Sequence, residues 1–116
     1  MLISIILPIY NEANFINNTI DSILQQNHVD QGFEILIADG MSDDGTRKII
    51  KALIQKNKNI HLIDNPDKIV PTGFNRAISV SSGEIIIRVD GHTFIHENYL
   101  ATINNTYSRL LALVIL

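Results

Sequence analysis

Apolar and polar positions come in blocks along this chain, and the blocks switch repeatedly between strand-like and helix-like spacing. Residues 3–9 (ISIILPI) are almost continuously apolar and rich in β-branched side chains, with Pro8 near the end. That is how a strand buried on both faces reads. From Ala13 to Gln26, the apolar residues Ile16, Ile20, Ile23 and Leu24 share one helical face, with Asn and Asp opposite. Phe33 to Ala38 predicts a second strand that ends at Asp39-Gly40. Ser42, Asp43 and Asp44 are capping residue types for a second helix, whose inward stripe is Ile49, Ile50, Leu53 and Ile54. Ile60 to Ile63 predicts a third, short strand, followed by the polar turn Asp64-Asn65-Pro66-Asp67. A weaker helical pattern runs from Thr72 to Val80 and stops at Ser81-Ser82-Gly83. Glu84 to Val89 is strand-like and leads into Asp90-Gly91-His92. The last segment, His96 to about Leu111, carries Tyr99, Leu100, Ile103, Tyr107 and Leu110 at helical spacing. Strands separated by single helices imply right-handed crossovers. The fold class expected is therefore α/β, with a mainly parallel sheet covered by helices on both faces.

Composition narrows this picture. A chain of 116 residues holds one small domain, and residues 1–116 show no linker, repeat or composition shift. With 46% hydrophobic and 18% charged residues, the chain is not of the disordered class. A net charge of −3 without any basic block argues against nucleic acid as a partner. The absence of cysteine excludes disulfides, thiolate zinc sites and cysteine nucleophiles. No apolar run reaches the roughly 18 residues that span a bilayer. The first residues lack the charged region and cleavage site of a signal peptide. These features point to a cytoplasmic protein, with peripheral attachment to the inner membrane face open for a full-length form. Leu110 to Leu116 (LLALVIL) is an apolar run that asks for something to bury against. It either packs back on this domain or reads as an interrupted element of a longer, truncated one; exposed, it would be a surface for self-association.

In open parallel sheets ligands bind at the carboxyl ends of the strands. Here those ends read Pro8-Ile9-Tyr10-Asn11-Glu12, Asp39-Gly40-Met41-Ser42-Asp43-Asp44 and Asp90-Gly91-His92. Carboxylates gathered on one edge repel unless a cation or hydrogen-bond donors accompany them. Asp43 and Asp44 fit helix capping; Asp39 and Asp90 follow their strands directly, each before a glycine, and fit a functional role better. Neither a G-x-G-x-x-G nor a G-x-x-x-x-G-K-[ST] pattern is present, so dinucleotide cofactors and P-loop chemistry lose support. Without a glycine-rich anion cradle, a phosphate ligand needs another source of positive charge. A divalent cation held by Asp90 and His92 is the economical source, with coordination positions left for diphosphate oxygens and water.

The segments ISIILPIYNE, ILIADGMSDDGT and SSGEIIIRVDGH, in this order and spacing over about residues 2–100, resemble the family 2 glycosyltransferases. The RVDGH form, with IVPTGFNRAI upstream, is most similar to the bacterial exopolysaccharide, succinoglycan-type branch. The resemblance implies the Rossmann-like nucleotide-binding half of a GT-A type fold and transfer of a sugar from a nucleotide-diphosphate donor, UDP-linked. The acceptor it implies is a polysaccharide or a lipid-linked saccharide. Pro8, Tyr10, Asn11 and Glu12 would line the nucleoside pocket, with Tyr10 near the base and Glu12 near the ribose. Asp39 would accept the imide N–H of uracil, for which an acceptor-only carboxylate is suited. Asp90 would reach the ribose or the metal. His92 stands where the second Asp of a D-x-D motif is commoner, which leaves Mn²⁺ or Mg²⁺ open. Gly40 stands where a second Asp is common. Phe74 stands where an Arg often precedes Asn75, leaving Arg76 as the nearest replacement for a diphosphate contact.

Inverting glycosyl transfer also needs a base to deprotonate the acceptor hydroxyl. In the family that base is an Asp beyond the metal triplet; here only Glu97 follows it, at a helix start, and no catalytic residue is assigned. The implied role is the donor-nucleotide and metal site, with no turnover by this chain alone. A non-catalytic binding module of the same fold is the alternative. A nucleotidyltransferase fits less well, because Tyr10-Asn11-Glu12 does not resemble a glycine- and lysine-rich phosphate loop.

Overall fold

The computed structural model describes residues 2–27 and 32–115, with side chains through residue 107. Strands β1 (Ile3–Ile9), β2 (Phe33–Asp39), β3 (Ile60–Asp64) and β4 (Ile85–Arg88) alternate with helices α1 (Ile16–Leu24), α2 (Thr46–Lys56), α3 (Val70–Val80) and α4 (Tyr99–Ile115). The four strands form one sheet in the order β3-β2-β1-β4. Every pairing is parallel. The chain winds outward from β1 to β3, then crosses back through α3 to lay β4 on the other side of β1. The switch point of the topology therefore lies between β1 and β4.

Strand alternation sorts the core into two layers. Ile3, Ile5, Leu7 and Ile9 of β1 face the same side as Ile35 and Ile37 of β2 and Ile85 and Ile87 of β4. There they meet Ile16, Ile20 and Ile23 of α1, Ile50 of α2 and Leu100 of α4. The opposite layer is smaller: Ile6, Leu36 and Ala38 pack against Ala77, with Ile63 and Phe74 at its margin. Each of these buried aliphatic side chains contributes about 1.5–3 kcal/mol on leaving water. All of β1 is buried, as its unbroken apolar run requires of a central strand.

The structure adjusts several sequence expectations. Helix α3 starts at Val70, ahead of Thr72, because Pro71 fits its first turn with φ already set. Helix α2 has Gly45 at its N-cap, at φ 97°, with no side-chain cap bond from that residue. Asp44 accepts the N–H of Thr46 instead, at 3.1 Å. Of the predicted α2 stripe only Ile50 is fully buried; Ile49, Leu53 and Ile54 lie at the core margin. Cover on both faces holds over β1, β2 and β3, against which α3 packs. Beyond them Ile86 of β4 is 40% exposed, because α3 does not extend across that edge. The side chains of Leu110 to Leu116, and with them the expected self-association surface, lie outside the described residues. Among the described residues no helix is long and apolar enough to cross a membrane.

Candidate functional site

A crevice opens between β1 and β4 for a reason written into β1. The carbonyl of Ile6 accepts the N–H of Val89, and the carbonyl of Ile9 accepts the N–H of Gly40. Backbone groups alternate sides along a strand, so residue 8 turns its edge toward β4. That residue is proline, which has no N–H to give. Pairing with β4 accordingly stops at Ile6↔Arg88, while pairing with β2 continues to Ile9↔Asp39. The two strands part, and the chain ends leaving them wall a cavity of about 340 Å³.

Three segments line this cavity. From the end of β1 come Pro8, Ile9, Tyr10 and Glu12. The turn after β4 adds Asp90, Gly91 and His92, with Arg88 from the strand itself. Asn65, Lys68, Ile69 and Val70 close it from the β3–α3 loop. Gly91 is needed for this closeness: a β-carbon there would lie 2.6 Å from Ile9 Cγ2 and 3.0 Å from Glu12 Cγ. The Thr19 hydroxyl of α1 donates to the Gly91 carbonyl at 2.9 Å and fixes the turn from below. Within the cavity His92 Nδ1 lies 3.3 Å from Glu12 Oε1, and Arg88 reaches Asp90 at 3.3 Å. Both contacts sit at the long end of hydrogen bonding. Tyr10 is 46% exposed, so its ring stands half open at the rim. A second hollow, of about 480 Å³, lies on the far side of Arg88 and Asp90, with Phe94 and Tyr99 in its wall.

The β2 side of β1 is built differently. Asp39 is fully buried, and its oxygens accept the backbone N–H of Ser42 at 3.0 Å, the Ser42 hydroxyl, and Arg47 Nη1 at 2.8 Å. Arg47 also donates to Asp64 Oδ1 at 2.6 Å. The hydrogen bonds it donates to Asp64 and then to Asp39 raise the guanidinium still further above its ordinary range, so Arg47 is a fixed cation. Asn11, at φ 52°, exchanges side-chain bonds with Asp43: its Nδ2 donates to Asp43 Oδ1, and its Oδ1 accepts the Asp43 N–H, each at 3.0 Å. Asp44 accepts from Ala13 and Thr46, and the Thr46 hydroxyl chiefly lowers its pKa. Asp44 thus serves the helix start, whereas Asp43 clamps two loops together.

The residues singled out from sequence divide accordingly. Pro8, Tyr10, Glu12, Asp90 and His92 come together around one cavity. Asp39 lies buried beside it, and Asn11 is turned toward Asp43. Arg76 is not in the lining: α3 turns Gly73 and Ala77 inward, so Arg76 faces out and reaches Asp67 at 3.5 Å. Lys68, Arg88, Asn65 and Arg47 were not singled out. Lys68 and Asn65 sit in a polar turn and Arg47 on a helix surface, positions where such residues are ordinary. Arg88 alone carried a signal, as a charge within an apolar strand.

Residues 4–114 match the model of the family described as glycosyl transferase family 2. The chain belongs to that family. It is 32% identical over 110 residues to the Methanococcus voltae dolichyl N-acetyl-alpha-D-glucosaminyl phosphate 3-beta-D-2,3-diacetamido-2,3-dideoxy-beta-D-glucuronosyltransferase, covering 93% of this chain and 34% of that protein. To the succinoglycan biosynthesis protein ExoA of Rhizobium meliloti it is 32% identical over 97 residues, covering 82% of this chain and 29% of the relative. The chain therefore spans about a third of the length of these relatives. In three dimensions the family 2 chain matches S. aureus TarS in complex with UDP, with a TM-score of 0.82 at 23% identity, over 94% of this chain and 32% of that one. The mannosyltransferase PcManGT of Pyrobaculum calidifontis, in complex with GDP-Man and Mn²⁺, matches with a TM-score of 0.78 at 23% identity, over 90% and 31% of the two chains. These likenesses place the fold in the GT-A type.

Proposed function

We propose that this chain binds the donor in a glycosyl transfer from a nucleotide-diphosphate sugar, UDP-linked, to a polysaccharide or lipid-linked acceptor. The observation that carries the reading is the convergence of Pro8, Tyr10, Glu12, Asp90 and His92 on one cavity at the switch point of the sheet. The relatives crystallised with UDP and with GDP-Man support the donor class. Tyr10 offers a half-exposed ring to the base. Asp39 already accepts three hydrogen bonds. A carboxylate has about four lone-pair positions, so a base imide would come to it as the fourth donor.

The donor set fits a divalent cation. No group of three ligating side chains occurs among the described residues, so the chain would supply Asp90 and His92, and phosphate oxygens and water the rest. Glu12 beside His92 Nδ1 favours the tautomer that leaves Nε2 free as a ligand. When bound, Mn²⁺ or Mg²⁺ would neutralise charge on the diphosphate leaving group. The chain's own part is to orient these groups: Thr19 and Gly91 fix the turn, and Arg88 bears on Asp90.

Calorimetric titration of the folded chain with UDP, with Mn²⁺ or Mg²⁺ and then with a chelator, tests this. Cation-dependent binding that weakens in Asp90→Ala is expected. A folded sample that binds no UDP with either cation would overturn the reading.

A further inference from the structure

Lys68 occupies a backbone conformation that lysine rarely takes, with φ 65°. Its N–H donates to the Asn65 carbonyl at 3.1 Å. Asn65 is itself buried and bonded on every side. Its N–H donates to the Asp39 carbonyl at 2.9 Å, its Nδ2 donates to the Ile69 carbonyl at 2.9 Å, and its Oδ1 accepts the Thr72 hydroxyl at 2.9 Å. The loop also lies directly over Gly40, where an added β-carbon would be 3.4 Å from Lys68 Cα. Position 68 is thus held against the carboxyl end of β2 in a conformation that glycine or asparagine would adopt at lower cost. Such an outlier, fixed from several sides, marks a place where the side chain has a task.

The charges around the cavity indicate which task. Arg47 is spent on Asp39 and Asp64, Arg76 reaches Asp67, and Arg88 reaches Asp90. Lys68 lines the cavity, and among the described residues its ammonium has no hydrogen-bond or ion-pair partner. It projects from the β3–α3 loop, across the cavity from the Asp90–His92 turn. We infer that Lys68 is the anchor for the diphosphate of the donor, a point cation facing the metal side of the same anionic group, with Arg88 as the weaker second contact. This rests on the nucleotide-sugar reading and adds a residue that neither the motifs nor the fold assigns.

Binding of UDP, uridine and inorganic pyrophosphate, each with Mg²⁺, is measured on wild type, Lys68→Asn and Lys68→Arg. Asparagine suits the left-handed backbone, so an undiminished thermal midpoint confirms that the variant is folded. The expected result is an affinity loss of about 5- to 20-fold for UDP and pyrophosphate in Lys68→Asn. Uridine binding should be unchanged, and Lys68→Arg should recover most of the loss. Equal UDP and pyrophosphate affinity in wild type and Lys68→Asn overturns the assignment while leaving the donor reading intact. An equal loss for uridine overturns it too, because Lys68 would then only hold the loop. Pyrophosphate binding that depends on Lys68, with no preference for UDP, supports the anchor and rejects the nucleotide. A wild type that binds none of the three rejects both.

Discussion

The carboxyl end of β1 has two neighbours, and the chain treats them in opposite ways. On the β2 side nearly every polar group is spent: Asp39 on Ser42 and Arg47, Arg47 on Asp64, and Asn11 on Asp43. On the β4 side Pro8 ends the ladder, and the contacts that remain are long or missing. His92 and Glu12 are 3.3 Å apart, Arg88 and Asp90 likewise, and across the crevice, on the β3–α3 loop, the Lys68 ammonium has no partner among the described residues. One wall is a finished structure and the other keeps its donors and acceptors available. The difference teaches how a small sheet supports binding: a saturated network fixes positions, and unspent groups next to it meet the ligand.

Removing a group from the open wall should change binding most and stability least. Asp90→Ala should lower cation-dependent UDP affinity on the order of 100-fold, since a direct ligand is lost and not merely a supporting one. Calorimetry with unaltered urea unfolding checks both halves. Removing a group from the closed wall should cost stability. Asp39→Asn deprives Arg47 of a buried carboxylate and should cost about 2 kcal/mol in equilibrium unfolding. A cost near zero would mean that the network is not what holds this wall.

Smaller effects sharpen the same contrast. Glu12→Gln should weaken Mn²⁺ or Mg²⁺ dependence about 10-fold by loosening His92, read from the cation concentration needed for half-maximal UDP binding. Asp44 supplies the smallest test. Its carboxyl is held below the ordinary value of 3.8, so folding gains from it above that value and loses the gain as pH falls through its lowered value. Asp44→Asn should therefore flatten the acid limb of a melting-temperature profile without altering UDP affinity at neutral pH. Identical acid limbs would remove Asp44 from the network.

The sheet was legible because burial on both faces leaves an unmistakable mark: ISIILPI and FEILIA are apolar regardless of alternation. The motif residues at the ends of β1 and β4 were legible through their placement just past those runs. That Arg76 faces away from the cavity lining was not legible, because the rotation of α3 depends on Gly73 and Ala77 packing inward, and its apolar pattern is weak. Lys68 was invisible for another reason. Its position is fixed by buried Asn65 bonding across the β3–α3 loop, a tertiary arrangement with no short-range signature. Arg47 likewise reads as an ordinary helix-surface charge until the fold brings Asp39 and Asp64 to it.

The central claim is that the crevice between β1 and β4 receives the donor nucleotide, with Asp39 and the Lys68 loop meeting it from the β2 side. Amide chemical shifts of the folded chain, titrated with UDP in Mg²⁺, test it most directly. The account predicts saturable shifts concentrated at Tyr10, Glu12, Lys68, Arg88, Gly91 and His92, with Asp43 to Lys48 nearly unmoved. Shifts centred on Asp43 to Lys48, or none anywhere at saturating UDP, would contradict it.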